Sequence, residues 1–303
     1  MTTPGNPESP DPSEEVVDTP RRSAPPGTEV PLSAPVKVLF EGRYRKLVRD
    51  LPQTIFYCPQ CKGKGCEKCE GFGKLTRDSV QELIARVAMP RFKARRNKFH
   101  GAGREDLDVR MLGSGRPFVF EMLKARRPTI SLQEVEDEIN RRWEGRIEVL
   151  GLKICNRDRV VEIKETRCPK DYRAQIVFEQ ELEEADRAEV AKRLDAIMAQ
   201  GPLTLLQQTP QRVAHRRTDM ARERWVRLLE HEATADGWSV SIRSEHGTYI
   251  KEAISSDGER TQPSLSSLLD RACRCVELDV LGILPADVGP ELELDASDDR
   301  LAD

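Results

Sequence analysis

The pattern of apolar and polar positions predicts alternating strands and helices between residues 36 and 284. Apolar residues that alternate with polar ones predict strands, whereas apolar residues spaced by three and four predict helices. The body begins near residues 36–40, and the predicted strands are residues 116–123, 146–155, 158–165, 172–182, 203–208, 220–231, 237–245 and 273–283. The predicted helices are residues 79–87, 131–144, 184–199, 248–255 and 264–271. Consecutive strands with interspersed helices predict an α+β fold on a mixed, mostly antiparallel sheet.

The two ends of the chain differ from this body in composition. Residues 1–35 contain nine of the twenty prolines and almost no large apolar residues. Such a segment buries too little surface to offset the entropy of ordering, so we expect it and the acidic residues 285–303 to be disordered. No apolar run approaches the roughly 18 residues of a membrane span, and the N-terminus lacks a signal-peptide pattern. We therefore expect a cytoplasmic protein with no membrane partner.

The whole-chain net charge of −3 conceals a basic middle. Residues 1–35 carry six acidic and two basic side chains, and residues 285–303 carry seven acidic and one basic. Residues 36–284 therefore hold 46 basic and 39 acidic side chains, a net charge of +7. A basic body between acidic ends favours binding to a polyanion such as a nucleic acid.

Four of the eight cysteines fall within the segment CPQCKGKGCEKCEGFG (58–73). Each Cys-x-x-Cys turn presents two thiolates to one ion, and the glycines let the backbone fold around it. The pattern predicts a structural Zn²⁺ site formed by Cys58, Cys61, Cys66 and Cys69. The short separation also allows a metal shared between chains or with Cys168, and a redox dithiol pair is the alternative to a metal. The repeats are similar to the glycine-rich cysteine repeats of DnaJ-type chaperones, but only over these residues.

The segment KFHGAGREDLDVRMLGSGRPFVFE (98–121) contains the strongest candidates for catalysis. Asp106 and Asp108 lie in a tight, glycine-rich polar loop that leads into a predicted strand. Loops held by rigid scaffolds often carry catalytic residues. From the residue types alone, either acid could equally be an ordinary solvated loop residue.

This segment resembles the archaeal and eukaryotic tRNA pseudouridine-54/55 synthases, the "Pus-ten" family. The resemblance covers about residues 75–284 and continues, in the family's order, through CPKDYRA (168–174), QTPQRVAHRRTD (208–219), EHGTYIKEAISSDGERTQPSLSSLL (245–269) and RCVELDVLGI (274–283). It implies a pseudouridine synthase fold over residues 76–284, after an N-terminal segment, residues 36–75, that carries the zinc module. It also implies an isomerase that acts on the TΨC arm of tRNA at position 54, 55 or both.

The resemblance also assigns roles to individual residues. The triplet Arg104-Glu105-Asp106 looks like the Arg-Thr-Asp triplet of other pseudouridine synthase families, which places the catalytic carboxylate on Asp106. Tyr172 would pack against the target base, and Lys251 would pair with Asp106 and keep it ionised. Arg104 would fill the gap left by a flipped nucleotide. The implied substrate-binding residues are Arg104, His100, Tyr249, Arg212 and Arg216, although a structural role is the stronger interpretation of His100.

Two basic segments fit an RNA substrate. Residues 86–104 hold seven Lys and Arg side chains and no acid, and RVAHRR (212–217) adds a second cluster. Phosphate contacts from such segments help to offset the cost of flipping a base. Uridine isomerisation itself needs no metal and no redox agent, so we expect the zinc to be structural and no organic cofactor to be present. We expect tRNA to be the partner and predict no obligate protein partner.

The sequence departs from the family in two places. The family usually carries a substantial N-terminal RNA-binding domain that contributes zinc ligands, whereas only residues 36–57 separate the proline-rich segment from Cys58. We expect that domain to be missing and the cysteine cluster to replace its metal site. Gln208 stands where the family resemblance leads us to expect an arginine. Two other functions stay open: a catalytically silent zinc RNA-binding protein on the same fold, and a metal-dependent nuclease that uses Asp106 and Asp108.

Overall fold

A computed structural model describes residues 17–18, 32–215 and 217–290 of the chain. The described chain forms two units, one of residues up to 107 with 116–165, and one of residues 108–115 with those from 166 onward. Residues 1–35 and 285–303, which we expect to be disordered, lie mostly outside the described ranges. Arg216, a predicted substrate-binding residue, also lies outside them. Within the described ranges, no helix is both long and apolar enough to cross a membrane. The predicted domain boundaries at residues 75 and 284 stay predictions.

The first unit packs three helices with an antiparallel set of strands. Its strands are β1 (Val17–Asp18), β2 (Val36–Lys46), β3 (Arg96–Gly101), residues 116–125 of β4 (Arg110–Ala125), and β5 (Ile147–Ile154). Its helices are α1 (Val80–Phe92), α2 (Leu132–Arg142) and α3 (Asp158–Glu165). Strand β3 pairs with β1 and β4, and β2 pairs with β4 and β5.

An aromatic cluster forms the core of this unit between β2, β3, β4 and α1. Phe40 stacks on Phe92 with ring centroids 5.9 Å apart, and Phe99 stacks on Phe118 at 5.3 Å. Tyr44 meets Phe99 and Phe118 edge-on. Such pairs add to the free energy gained from burying the rings. The phenol of Tyr44 is therefore fixed inside the core, next to the loop that follows β3.

The second unit is built on a mixed sheet. Its further strands are β6 (Lys170–Phe178), β7 (Leu203–Gln208), β8 (Ala221–Thr234), β9 (Gly237–Ser244), β10 (Thr261–Gln262) and β11 (Cys273–Ile283). Its helices are α4 (Glu184–Gln200), α5 (Ile250–Ser255) and α6 (Leu265–Leu269). The strand order is β4, β11, β6, β9, β8, β7, β10, and among the described pairs only β4 with β11 is parallel. The predicted α+β class with a mixed, mostly antiparallel sheet is confirmed.

One predicted strand is wrong, because residues 158–165 form the helix α3. The β-branched pair Val160-Val161 favours a strand by propensity. In the structure, the side chain of Asn156 accepts a hydrogen bond from the backbone N–H of Arg159, and Arg159 pairs with Glu162 on the next turn. Only Ile163 of this helix is buried. Local capping and spacing of charges by three residues therefore outweigh β-propensity here.

Candidate active site and metal centre

The loop that carries Asp106 leaves the end of β3 at Gly101 and enters β4 after residue 109. Arg104 is exposed, Glu105 is buried and Asp106 is half-buried, so the three consecutive side chains occupy different environments. Gly103 has a φ of +78°, a left-handed conformation that glycine adopts without strain. The tight turn predicted for the Gly-Ala-Gly segment is therefore present, and it turns Glu105 into the protein while its neighbours face outward.

Glu105 is the anchor of this loop. Its side chain is 1% exposed, and its carboxylate accepts hydrogen bonds from Arg116 Nε at 2.7 Å and from Tyr44 Oη at 2.9 Å. The Lys46 ammonium lies 4.0 Å from the same carboxylate. Burial of an ionised carboxylate is costly unless cations and hydrogen-bond donors surround it. These partners satisfy that requirement and fix the position of Glu105.

The same partners also bind the loop backbone. Arg116 donates to the carbonyl of Ala102 at 2.8 Å, and Gln53 donates to the carbonyl of Gly103 at 3.0 Å. The fully buried Lys46 ammonium donates to the carbonyls of Leu51, Asp106 and Leu107 at 2.8, 3.2 and 3.1 Å. Residues 102–107 are thus held at both ends by buried donors. The backbone of Asp106 is fixed, and the residue as a whole is half-buried.

The phenol of Tyr44 keeps its proton in this arrangement. Burial, reinforced by the negative charge of Glu105, raises the pKa of Tyr44 well above its ordinary value. Gln53 Nε2 donates to the phenolic oxygen at 2.8 Å, so the oxygen both accepts and donates. A protonated Tyr44 donates to Glu105 across the whole physiological pH range.

In the second unit, Lys251 on α5 donates to Asp108 Oδ2 at 2.6 Å. Burial raises the pKa of Asp108, but Lys251 outweighs this effect and holds that pKa below its ordinary value. Two residues further on, Arg110 forms a bidentate pair with Asp279 of β11 at 2.8 and 2.6 Å. The start of β4 is therefore held by one ion pair to α5 and another to β11. The predicted pairing of Lys251 with Asp106 stays a prediction.

Tyr249 and Arg212 lie together beside Lys251. The Arg212 guanidinium lies 5.9 Å from the centre of the Tyr249 ring and donates to Glu252 at 2.5 Å. The side chain of Gln207 holds Tyr249 by accepting from its backbone N–H at 2.8 Å and donating to its carbonyl at 3.0 Å. An aromatic ring, an ammonium and a guanidinium are the groups that stack on bases and bind phosphates.

Tyr172 lies on the strand β6, next to β11. Its register partners are Val280 on β11 and Ile242 on β9, and Val280 in turn pairs with Met111 of β4. The backbone of Tyr172 is therefore two strand spacings, about 10 Å, from that of Met111. Its side chain is half-buried.

His100 lies inside the first unit. It is 5% exposed, and its Nε2 lies 3.2 Å from Glu121 Oε2. The other carboxylate oxygen of Glu121 pairs with Lys37 at 2.8 Å. This geometry favours the structural role that the sequence suggested for His100. Its assignment to substrate binding stays a prediction.

The four clustered cysteines fit a tetrahedral metal ion. Their Sγ atoms lie within 4.8 Å of one another, and three described separations are 3.8, 3.7 and 3.7 Å. A tetrahedron with Zn–S bonds of about 2.3 Å has edges of about 3.8 Å. In the described part of the chain, they form the one group of three or more His, Cys, Asp or Glu side chains close enough to hold a metal ion.

Backbone donors around these sulfurs favour thiolates. Gly65 N–H donates to Cys61, and Cys66 and Gly73 N–H groups donate to Cys69, at 3.2 to 3.3 Å. Burial raises the pKa of Cys69, but these N–H groups outweigh it and lower that pKa to about 7. Burial and the neighbouring thiols raise the pKa of Cys66 to about 11. Four sulfurs so close together carry a full set of negative charges only when a cation is bound between them.

Five residues that support the Asp106 loop were not identified from the sequence: Tyr44, Lys46, Gln53, Glu105 and Arg116. One sequence feature pointed to Glu105, because it follows two closely spaced glycines and precedes a predicted strand. Lys46 and Arg116 carried no such signal, because lysine and arginine are usually solvated. Only the fold shows that their charged ends meet inside the protein.

Replacing Arg116 by Met tests the strength of this anchor. The substitution leaves the buried Glu105 without its closest cation, so we expect a loss of about 3–5 kcal/mol in the free energy of unfolding. Arg45→Met is the matched control, since Arg45 pairs with Glu148 at 3.0 Å with both side chains 37% exposed. That surface pair contributes about 0–1 kcal/mol. Equal urea midpoints for the two variants would contradict the anchor.

Comparison with known proteins agrees with the resemblance found in the sequence. The family profile described as "Pus10, C-terminal" matches residues 39–283. The chain is 45% identical over 248 residues to the "tRNA pseudouridine synthase Pus10" of Methanothermobacter marburgensis, a match that covers 81% of this chain and 60% of that protein. For the protein with the same description in Archaeoglobus fulgidus, the identity is 42% over 250 residues, with 81% and 67% covered.

A third relative, the "tRNA pseudouridine synthase Pus10" of Methanocaldococcus jannaschii, is 43% identical over 247 residues, with 81% of this chain and 53% of that protein covered. The chain thus spans between about half and two thirds of the length of these relatives. The family profile covers β3, the Asp106 loop, Tyr172, Tyr249 and Lys251 in one uninterrupted match. The chain therefore belongs to the Pus10 C-terminal family.

Proposed function

We propose that this chain is a tRNA pseudouridine synthase that converts uridine to pseudouridine in the TΨC arm, at position 54, 55 or both. The observation that carries the proposal is the family match over residues 39–283, which includes all three candidate catalytic residues. Relatives at 42–45% identity bear the name of this activity. The buried anchor under Asp106 supports it from the structure, because a catalytic carboxylate must be held in place.

In the proposed reaction, the C1′–N1 bond of the uridine breaks, the base rotates, and C1′ joins C5. The ionised carboxylate of Asp106 initiates the step, either as a nucleophile at C1′ or by promoting a glycal-like intermediate. Tyr172 packs against the base and is the candidate for removing the proton from C5. The reaction is a rearrangement that neither consumes nor releases electrons, so no redox partner enters it.

Lys251 contributes positive charge to the site. Its ammonium pairs with Asp108, which lies two residues after Asp106 in the chain. In the proposal it also acts on Asp106, since a nearby cation favours the ionised form of a carboxylate. The adjacent Tyr249 and Arg212 then serve as a stacking ring and a phosphate contact for the flipped nucleotide and its neighbours.

Exposed basic side chains of the first unit supply further phosphate contacts in this proposal. Lys93, Arg95 and Arg104 are exposed, whereas Arg86 and Arg91 of the same segment pair with Asp78 and Glu134. In this proposal, Arg104 fills the space that the flipped base leaves, and its exposure is consistent with that role. The tRNA is the partner that this surface fits; an obligate protein partner is not part of the proposal, and the cytoplasm is the expected location.

Replacing Asp106 by Asn tests the proposed catalyst. Tritium release from tRNA transcripts labelled at C5 of uridine should occur with the parent protein in EDTA and fall by at least about 1000-fold in Asp106→Asn, because the amide cannot act as an anion or nucleophile. Asp137→Asn on the exposed face of α2 is the matched control and should keep the parental rate.

The outcomes separate the candidate functions. No release from the parent protein, with tRNA still bound, would indicate a catalytically silent RNA-binding protein. Strand cleavage that EDTA abolishes would indicate a nuclease. Release that survives in Asp106→Asn but is lost in Asp108→Asn would move the catalytic role to the second acid. Mapping the labelled position distinguishes uridine 54 from uridine 55.

We also propose that the metal of the four-cysteine cluster is Zn²⁺ and that its role is structural. The four Sγ positions fill a tetrahedron, so the ion would have no open position for water or substrate. Its chemistry is to hold the two Cys-x-x-Cys turns together. The catalytic residues lie in other parts of the chain and use no metal.

Cys58→Ser tests this role. It removes one of four ligands, so we expect the zinc content to fall well below one ion per chain and the melting temperature to drop, while tritium release per folded molecule changes less than about threefold. Cys155→Ser, outside the cluster, should leave the zinc content and the melting temperature unchanged. A metal-free parent protein whose melting is indifferent to chelator would contradict the structural site.

A further inference from the structure

The two halves of the cysteine module lie side by side in a way that pairs Lys64 with Phe72. The halves, CPQCKGKG (58–65) and CEKCEGFG (66–73), have the same Cys-x-x-Cys-x-Gly-x-Gly pattern. A Cβ on Gly73 would lie 2.5 Å from Gly63 O, and a Cβ on Gly65 would lie 2.7 Å from Gly71 O. The two Gly-x-Gly segments therefore run in opposite directions in close contact, and their central residues, Lys64 and Phe72, lie opposite each other.

Phe72 is strongly exposed to solvent. Its side chain is 66% exposed, the largest value among the exposed large hydrophobic side chains in the described residues. The backbone at this position is held by hydrogen bonds. The N–H of Phe72 donates to Cys69 O at 2.9 Å, and Gly73 O accepts from Cys58 N–H at 2.9 Å. An aromatic ring fixed in this position has its face available to a planar partner.

The surroundings of Phe72 are basic and partly apolar. Lys62, Lys64 and Lys68 are exposed, and the exposed acids of the module are Glu67 and Glu70. Lys74 pairs with Glu82. Nearby, the Tyr57–Lys74 bridge brings together Phe56 and Leu75, which are 39% and 41% exposed. The module thus presents an exposed aromatic ring opposite Lys64, on a surface with three exposed lysines and two exposed glutamates.

We propose that Phe72 and Lys64 form a stacking platform for an unpaired RNA base and its phosphate. Every base has a π-face that can stack on a phenylalanine ring, and the adjacent lysine supplies the charge that the phosphate requires. The glycine-rich turns and the sulfur cluster fix the backbone of Phe72 in advance, which lowers the entropy lost on binding. This contact goes beyond the proposed isomerisation, since it binds RNA through residues that take no part in the reaction of the uridine.

The charge at the platform favours RNA over a protein partner. A protein-docking surface is typically a larger apolar patch whose centre is depleted in lysine. Here Phe72 is far more exposed than the nearby Phe56 and Leu75, and the module exposes three lysines against two acids. A polyanion with exposed planar groups matches both features.

The test uses the whole 303-residue chain and a fluorescein-labelled oligouridylate of about 12 nucleotides, within the site sizes of single-strand binders. Phe72→Ala should weaken binding about 5- to 150-fold, which corresponds to the loss of one stacked base. Phe72→Trp should bind at least as tightly as the parent protein. Lys64→Gln should reduce the slope of log affinity against log salt by about 0.7, the loss of one phosphate contact.

Val161→Ala on α3 is the control, since Val161 is 48% exposed outside the module. It should leave affinity unchanged, and all variants should keep the parental melting temperature. A direct readout comes from Phe72→Trp, whose additional indole fluorescence should be quenched when the oligonucleotide stacks on it.

Unchanged affinity of folded Phe72→Ala, or an indole signal that RNA does not alter, would overturn the proposal. The proposal would also be overturned if Phe72→Ala lost the ability to bind a protein partner while its affinity for the oligonucleotide was unchanged. Neither result depends on tritium release, so the failure of this platform and the failure of the proposed isomerase are separate outcomes.

Discussion

The structure of the first unit depends on one buried negative charge. Glu105 is removed from water and surrounded by Arg116, Lys46 and the protonated phenol of Tyr44. A carboxylate in that position is tolerated only if every partner is present, so the cluster acts as a unit. Its cations also bind the carbonyls of the loop, and this couples the fold of β2 and β4 to the placement of Asp106.

This arrangement explains how adjacent residues take opposite roles. The charge of Glu105 holds the loop, whereas Asp106 is half-buried and has its carbonyl bound by Lys46. In the second unit, Asp108 is bound to Lys251 and Arg110 to Asp279. The loop thus places a buried acid, Glu105, directly before a half-buried one, Asp106. The proposed chemistry needs a carboxylate held in a fixed position.

Much of the fold was predictable because local patterns and tertiary packing agree. The helix at residues 131–144 begins with Ser131 as its cap, as predicted, and the four cysteines meet in one cluster. Two local errors have physical causes. The segment 158–165 has strand propensity but is capped as a helix, and β3 was overlooked because its buried Asn97 and Phe99 lie among basic residues.

The candidate site was only partly predictable. The resemblance identified Asp106, Tyr172 and Lys251, whose roles remain proposals, and the bond from Lys251 to Asp108 emerged only from the geometry. The anchor was missed because a sequence does not show which charged residues leave the solvent. Periodicity places Tyr44 and Lys46 on one face of β2, yet nothing local indicates that their polar ends meet Glu105.

If the charge of Glu105 positions Asp106, its removal must change the rate of tritium release at saturating tRNA. Glu105→Gln keeps the shape of the side chain and removes the charge, and Tyr44→Phe removes one donor as a milder second variant. We expect the rate constant of tritium release to be about 100-fold lower for folded Glu105→Gln, because misplacing a catalytic group affects the reaction step. The dissociation constant for tRNA should be unchanged. A parental rate in Glu105→Gln would contradict this positioning.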